Sequence, residues 1–477
     1  MSNILNKQQE LAKTAFGELS VASLTPLVQV TAQYGLLDDV LGIALGGSVT
    51  TQDSNFVAST GAGPNNVAAI VSSREAQYKA GQGLMARFTA IFTQGQANST
   101  QQAGLITSES AFAFGYNGSE YGILHARDGQ LENQELTVTT SATSAETATV
   151  VVDGVGYPVN LSNGTTQDNA FEIATELEST VPGYNFTSVG DVVYCLAQLP
   201  DFGSGVFAFT SATAVASWVQ IKNGVIPTET WIPKVNWNLY PDIDIDPALG
   251  NVYQIQIQYL GYGAITFSVE DPDNGELVPV HIIKYSNSAI VPSVSNPIFR
   301  VGWAARNTGN TSDIVVKGAS AAAFVEGAVV YDGLPKGICQ TQLGVNTTRT
   351  NILSIRNRLT FNGTANRAEI IPIAASFATD TTKTAFFELL RDPVYADPVT
   401  FERYSANSLM ELSKDSVEVS GGEVVDCFTV KSATSIQVDI NKVLEQMIPG
   451  ETYSIAASVS SGSASDMDAT FAFKEDL

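Results

Sequence analysis

Histidine is nearly missing from this chain: His125 and His281 are the only two in 477 residues. Ser-His-Asp and Cys-His catalysis both need an imidazole beside an activated nucleophile, and no nucleophile motif accompanies either histidine. His281 sits among mostly apolar strand residues and reads as structural. Cysteine is scarce too. Cys195, Cys339 and Cys427 are odd in number and far apart, in no metal-ligand spacing and no paired framework. Cys195, within Val192-Val-Tyr-Cys-Leu196, reads as a core thiol. Basic side chains number 24 against 48 acidic ones, a net charge of −24, which argues against a nucleic-acid or anionic-membrane partner. No apolar run reaches the roughly 18 to 20 residues that a membrane span requires. The opening MSNILNKQQELAKTAF lacks the basic end and apolar core of a secretory signal, so a soluble chain made in a cytoplasm is expected. No heptad run specifies a coiled coil.

What is present is β-structure. Only 15% of residues are charged, and β-branched residues recur in short runs between polar and glycine-containing turns. The clearest stretch is Asn251 to Asn287. Tyr253, Ile255, Ile257 and Tyr259 alternate with Gln254, Gln256 and Gln258, the period of a half-buried strand. Ile265, Phe267 and Val269 repeat the pattern, Asp271-Pro-Asp-Asn-Gly275 supplies a tight reversal, and Leu277 to Tyr285 forms a third strand. Three such strands need a second layer over their apolar face, which predicts a β-sandwich.

A chain of this length exceeds one core, and its grammar changes along the way. Residues 3 to 16 predict a helix with Leu5, Leu11 and Phe16 near one stripe; it docks on another protein or on its own domain. The extended stretch around Pro26 suits an edge strand or an arm, and with the helix it is expected to make an attachment arm over 1–49. Residues 50–132 read as the first half of a sandwich, with Asn117-Gly118 as a hairpin turn. Residues 133–224 read as an inserted α+β domain, its helix begun by Asn169 and Glu172 as a capping pair. The sandwich resumes over 225–327, and 328–477 predicts a C-terminal β-sandwich. The predicted class is therefore mainly β: multidomain sandwiches with a small α+β insert and an N-terminal helix.

Arg87-Phe-Thr-Ala-Ile-Phe92, Phe114-Gly-Tyr-Asn-Gly118, Asn251-Val-Tyr-Gln-Ile255, Leu260-Gly-Tyr-Gly-Ala-Ile265, Val269-Glu-Asp-Pro272 and Val280-His-Ile-Ile-Lys-Tyr-Ser-Asn287 together resemble the lectin-like jelly-roll sandwich of virion structural proteins from tailed bacteriophages and large aquatic viruses. The resemblance spans roughly residues 50 to 330 and carries no catalytic residues. It implies a virion component of the fibre, tail or capsid-decorating type, made in the host cytoplasm. Its implied partners are other virion proteins and copies of itself, a trimer being common in fibres, with a host-surface glycan at the outer end.

Few residues suggest chemistry. Asp242, Asp244 and Asp246 alternate, so on a strand they project from one side and are candidates for Ca²⁺; the competing reading is a polar edge with a turn at Asp246-Pro247. Trp231, Trp237, Tyr240 and Tyr262 are candidate sugar-stacking platforms, against which core packing competes for each. Acidic pairs such as Glu109 and Asp128 arise by chance among 48 acidic residues, so no enzyme activity and no cofactor are expected. A glycan-binding or glycan-degrading surface protein is the alternative.

Overall fold

A computed structural model describes residues 23–476 except 201–204, 330–332, 381, 432 and 443–445. The candidate attachment helix, with Leu5, Leu11 and Phe16, lies outside the described residues. The chain divides into two compact units, residues 1–128 with 228–330, and residues 129–227 with 331–477. Both are built of antiparallel strands, so the mainly β class holds.

The first unit is a sandwich of a nine-stranded and a seven-stranded sheet. In the nine-stranded sheet Leu277–Ile283, Ile265–Glu270, Asn251–Ile257 and Leu84–Phe92 run side by side. Ser320–Glu326 pairs with Leu84–Phe92, and Leu24–Thr31 pairs with Ser320–Glu326 as an edge strand. The alternation read from the sequence decides which face is which. Tyr253, Ile255 and Ile257 are buried, while Gln254 and Gln256 lie on the opposite, half-exposed face. Each large apolar side chain so buried contributes about 1.5–3 kcal/mol.

Facing residues lock the two sheets. Phe114, from the seven-stranded sheet, approaches Tyr253 at 4.7 Å and Phe267 at 5.5 Å between ring centroids. Trp303 donates its indole N–H across the core to the Thr89 carbonyl at 2.8 Å. Gly318 leaves room for that indole, since a Cβ there would fall 2.1 Å from Trp303 Cε2.

Of the edge and the arm that the stretch around Pro26 suits, the structure shows the edge. Residues 24–45 are not a free extension: Leu24–Thr31 and Val40–Leu45 are sheet strands, and Val28, Val30, Ala32 and Val40 enter the core. Pro26 sits where the register shifts between Pro26 and Val28, at the edge position that tolerates a missing N–H.

The second unit holds two cores. Residues 129–227 carry a four-stranded sheet, a three-stranded sheet and the helix Thr166–Thr180, packed around Leu136, Val150, Ile173, Leu177 and Cys195. Cys195 is fully buried, and burial raises its thiol pKa, as a core cysteine requires. The helix starts earlier than the sequence suggests. Thr165 is its N-cap: Asp168 N–H donates to Thr165 Oγ1 at 3.1 Å, and Thr165 N–H donates to Asp168 Oδ2 at 2.7 Å. Asn169 and Glu172 do pair, at 3.0 Å, but as a tertiary clamp in which Asn169 Oδ1 also accepts from Ala142 N–H at 2.8 Å.

Residues 331–477 form a sandwich of a four-stranded and a six-stranded sheet. Phe377, from the first, stacks on Phe387, from the second, at 5.0 Å.

Candidate functional site

Cross-strand register builds the most distinctive feature of the first unit. On the outer face of the nine-stranded sheet, Gln29 stands opposite Ala322, Ala322 opposite Arg87, and Arg87 opposite Gln254. One step along, Thr31 stands opposite Ser320, and Thr89 opposite Val252. Short side chains on Ser320–Glu326 thus lie between longer ones on either side. Strands are about 4.8 Å apart, so the walls stand about 10 Å from each other across a floor of Ala322 and Ser320. The result is an open trough of about 510 Å³.

Most of its lining surface is apolar, and a few polar groups are set into it. Gln29, Thr31, Arg87 and Ser320 are exposed, and Thr89 is half-buried. Thr89 Oγ1 accepts from the backbone N–H groups of Ala319 at 2.9 Å and Ser320 at 3.3 Å, which ties the floor strand to its wall. Arg87 donates from Nε to Gln254 Oε1 at 2.7 Å. Among the described residues its terminal nitrogens have no partner, and no carboxylate pairs with it. An arginine held through Nε presents the rest of its fork in a fixed direction.

The sequence candidates lie elsewhere, and none of them lines the trough. Trp237 is a core residue, 3% exposed, in edge contact with Phe114 at 5.9 Å and donating to the Ile232 carbonyl at 3.3 Å. As a sugar platform it is corrected. Trp231 is half-buried against Leu124 and Ala126, with its N–H on Glu229 Oε2 at 2.8 Å. Tyr240 and Tyr262 are exposed, and Tyr262 donates its hydroxyl proton to the Ile290 carbonyl at 3.1 Å.

The Ca²⁺ reading is corrected as well. Residues 242–246 are not a strand, although the alternation persists: Ile243 and Ile245 are buried and the three aspartates exposed. Asp246 Oδ1 accepts from Ala248 N–H at 2.9 Å, the turn geometry that competed with the metal. Among the described residues no group of three acidic, histidine or cysteine side chains is placed to hold a metal ion.

Both histidines are buried, and burial lowers the pKa of each. His125 Nε2 lies 2.8 Å from the Ser293 carbonyl, and its ring stacks on Phe112 at 4.9 Å. His281 Nδ1 accepts from Asn238 N–H at 3.2 Å. These are packing roles.

Sequence reasoning missed Gln29, Thr31, Arg87, Thr89, Ser320 and Ala322 as a set. One signal was available: Arg87 is the lone charge in the strand Leu84–Phe92.

No family model matches this chain, and no curated protein does. Solved structures with some likeness include lectin II from Ulex europaeus, 10% identical, covering 63% of this chain and 100% of that one with a TM-score of 0.23. Arcelin-5, a lectin-like defense protein from Phaseolus vulgaris, is 8% identical over 65% of this chain and 100% of its own, with a TM-score of 0.25. Lectin I-B4 from Griffonia simplicifolia, in a metal-free form, is 12% identical over 63% and 99%, with a TM-score of 0.25. The trough and its residues stand on this chain's own strand pairing.

Proposed function

We propose that this protein is a non-enzymatic structural component of a virion, of the fibre, tail or decorating type, that contacts a surface glycan through the trough of its first sandwich. The trough carries the reading: a groove two strand spacings wide, floored by Ala322 and Ser320 and walled by hydroxyl, amide and guanidinium groups. Such a lining suits holding a polyhydroxyl ligand. Glycoside hydrolysis uses a pair of carboxylates, and the lining residues supply hydrogen-bonding groups of other kinds.

The virion setting rests on the resemblance of the 87–92, 114–118, 251–255, 260–265, 269–272 and 280–287 segments. In this reading the protein is made in the host cytoplasm, joins the particle through contacts with other virion proteins and with its own copies, a trimer as in fibres, and uses residues 1–18 for attachment. Immunogold microscopy of purified particles, with antibodies to residues 1–18 and to the C-terminal sandwich, tests it. Labelling of projections or head surfaces by the C-terminal antibody supports the reading, and absence of the protein from particles overturns it. The trough then favours the second reading, a glycan-binding surface protein outside any particle, for which saccharide binding without particle association is the expected result.

A further inference from the structure

We infer that the ligand of the trough is an acidic saccharide whose carboxylate sits on the Arg87 guanidinium while neutral sugar rings lie along the Ala322 and Ser320 floor. This rests on the reading of the trough as a glycan site and names the class of glycan.

Charge bookkeeping across the chain makes Arg87 unusual. Acidic residues outnumber basic ones two to one, 48 to 24, so an arginine meets a carboxylate readily. Arg300 reaches Glu75 at 3.2 Å, Arg349 reaches Glu388 at 3.0 Å, Arg356 reaches Glu411 at 2.8 Å and Arg391 reaches Glu423 at 2.8 Å. Among the described residues Arg87 has only the neutral Gln254. Across its own strand pairs it faces an alanine and a glutamine; one neighbouring row supplies threonine, serine and valine, and the other methionine, phenylalanine and glutamine. A cation left without an internal anion, aimed by one hydrogen bond and set in the wall of a groove, is complementary to an external anion.

The rest of the groove narrows the class. Thr31, Ser320 and Gln29 offer hydroxyl and amide groups at the spacing of adjacent strands, the pattern that matches sugar hydroxyls. The small floor admits a flat ring where a larger side chain would close the trough. The net charge of −24 disfavours a dense polyanion, because every further carboxylate or sulfate meets repulsion outside the reach of Arg87. The fitting ligand carries its acid sparsely, as one uronic or sialic acid residue among neutral sugars.

The test uses the full chain and a panel of oligosaccharides, each bearing one glucuronic, galacturonic or sialic acid residue. The same panel with each carboxyl reduced to an alcohol serves as the neutral counterpart. Binding is read by calorimetry for the wild type, Arg87→Gln, Arg87→Lys and Ala322→Leu, with circular dichroism confirming that each variant folds. At least one acidic member is expected to bind more tightly than its reduced form. Arg87→Gln should weaken that acidic ligand roughly 10- to 100-fold, the worth of a hydrogen bond to a charged group, and leave the reduced form unchanged. Arg87→Lys should recover part of the loss, and Ala322→Leu should weaken both forms. Equal binding of acidic and reduced forms, untouched by Arg87→Gln but lost in Ala322→Leu, overturns the acidic class while the glycan reading stands. No saccharide binding in the wild type, or binding only of a peptide through its terminal carboxylate, overturns both.

Discussion

Arg356 Nη2 donates to the backbone carbonyl of Ser188 at 2.6 Å, joining strand Thr350–Asn357 of the C-terminal sandwich to the α+β segment 168 residues earlier. The same guanidinium reaches Glu411 Oε2 from Nε at 2.9 Å and lies 3.9 Å over the Phe401 ring. Arg358 donates to the Ser408 carbonyl at 3.1 Å beside it, and Leu131, Leu196 and Leu359 form a small apolar seal. The segment inserted between the halves of the first sandwich is thus bonded to the C-terminal sandwich within one compact unit.

Removing Arg356 should therefore be costly. Side-chain exposure is 7% for Arg356 and 4% for Glu411, so Arg356→Ala leaves a buried carboxylate with only Arg358, at 3.9 Å, for compensation. Breaking a buried pair from one side costs about 3–5 kcal/mol. Denaturant unfolding should show that loss, while the double variant Arg356→Met with Glu411→Leu should recover most of it. A single-variant loss below about 1 kcal/mol would contradict the anchoring role, being the range of an exposed pair.

How much of this could be read from the chain depends on distance along it. The strand Asn251–Ile257 was legible because alternation is local, and Pro26 marked an edge because a missing N–H is local too. The trough was not. Its residues come from Leu24–Thr31, Leu84–Phe92 and Ser320–Glu326, and a period of two tells which face a side chain takes without telling which strand lies alongside. Arg356 and Ser188 were hidden for the same reason. Asp242, Asp244 and Asp246 show the converse: their alternation was legible, but the segment Pro241–Asp246, a turn followed by irregular backbone, buries Ile243 and Ile245 without forming a strand.

Glu146 should titrate far below an ordinary carboxyl. Ser211 donates its hydroxyl proton to Glu146, Ala214 N–H donates at 3.0 Å, and Thr213 donates through both its hydroxyl at 2.9 Å and its N–H at 3.2 Å. These donors, the Ser211 hydroxyl foremost, lower its pKa from 4.5 to about 2. A depressed folded pKa means that the contribution is whole above about 4.5 and is lost as pH falls towards 2. A carbon-detected titration should place the Glu146 midpoint near 2, with protection of the Ala214 amide relative to its intrinsic exchange rate falling over the same window. A midpoint near 4.5 would show that the loop is not held by this carboxylate.

Histidine should make the first sandwich sensitive to mild acid. His125 and His281 both belong to that unit, and burial lowers both folded pKa values below the ordinary 6.5. The unfolded chain then binds protons more readily than the folded one below pH 6.5, so stability contributed by the neutral rings is present above that value and falls as pH drops beneath it. For His281 the cause is also geometric, since protonation at Nδ1 would abolish its acceptance from Asn238 N–H. Melting followed between pH 7.5 and 5 should show a declining transition in the wild type and a flatter profile in His281→Gln. Parallel profiles would assign the acid response elsewhere.

The two tryptophans proposed from the sequence as sugar platforms should separate cleanly on truncation. Trp237 is 3% exposed, meets Phe114 edge-on and is within 6.0 Å of Tyr121 between ring centroids, so its removal opens a cavity in the aromatic core of the first sandwich. Trp237→Ala should cost about 3–5 kcal/mol. Trp231 lies half-buried on the edge strand Thr228–Pro233 and satisfies its N–H through Glu229 two residues away, so neighbouring side chains and water can close over its loss. Trp231→Ala should cost about 1–2 kcal/mol, within the ordinary range for a single substitution. Neither lines the trough, so saccharide affinity per folded molecule should be unchanged in Trp231→Ala; a loss of binding there without loss of stability would move the glycan site to the edge strand and away from Arg87.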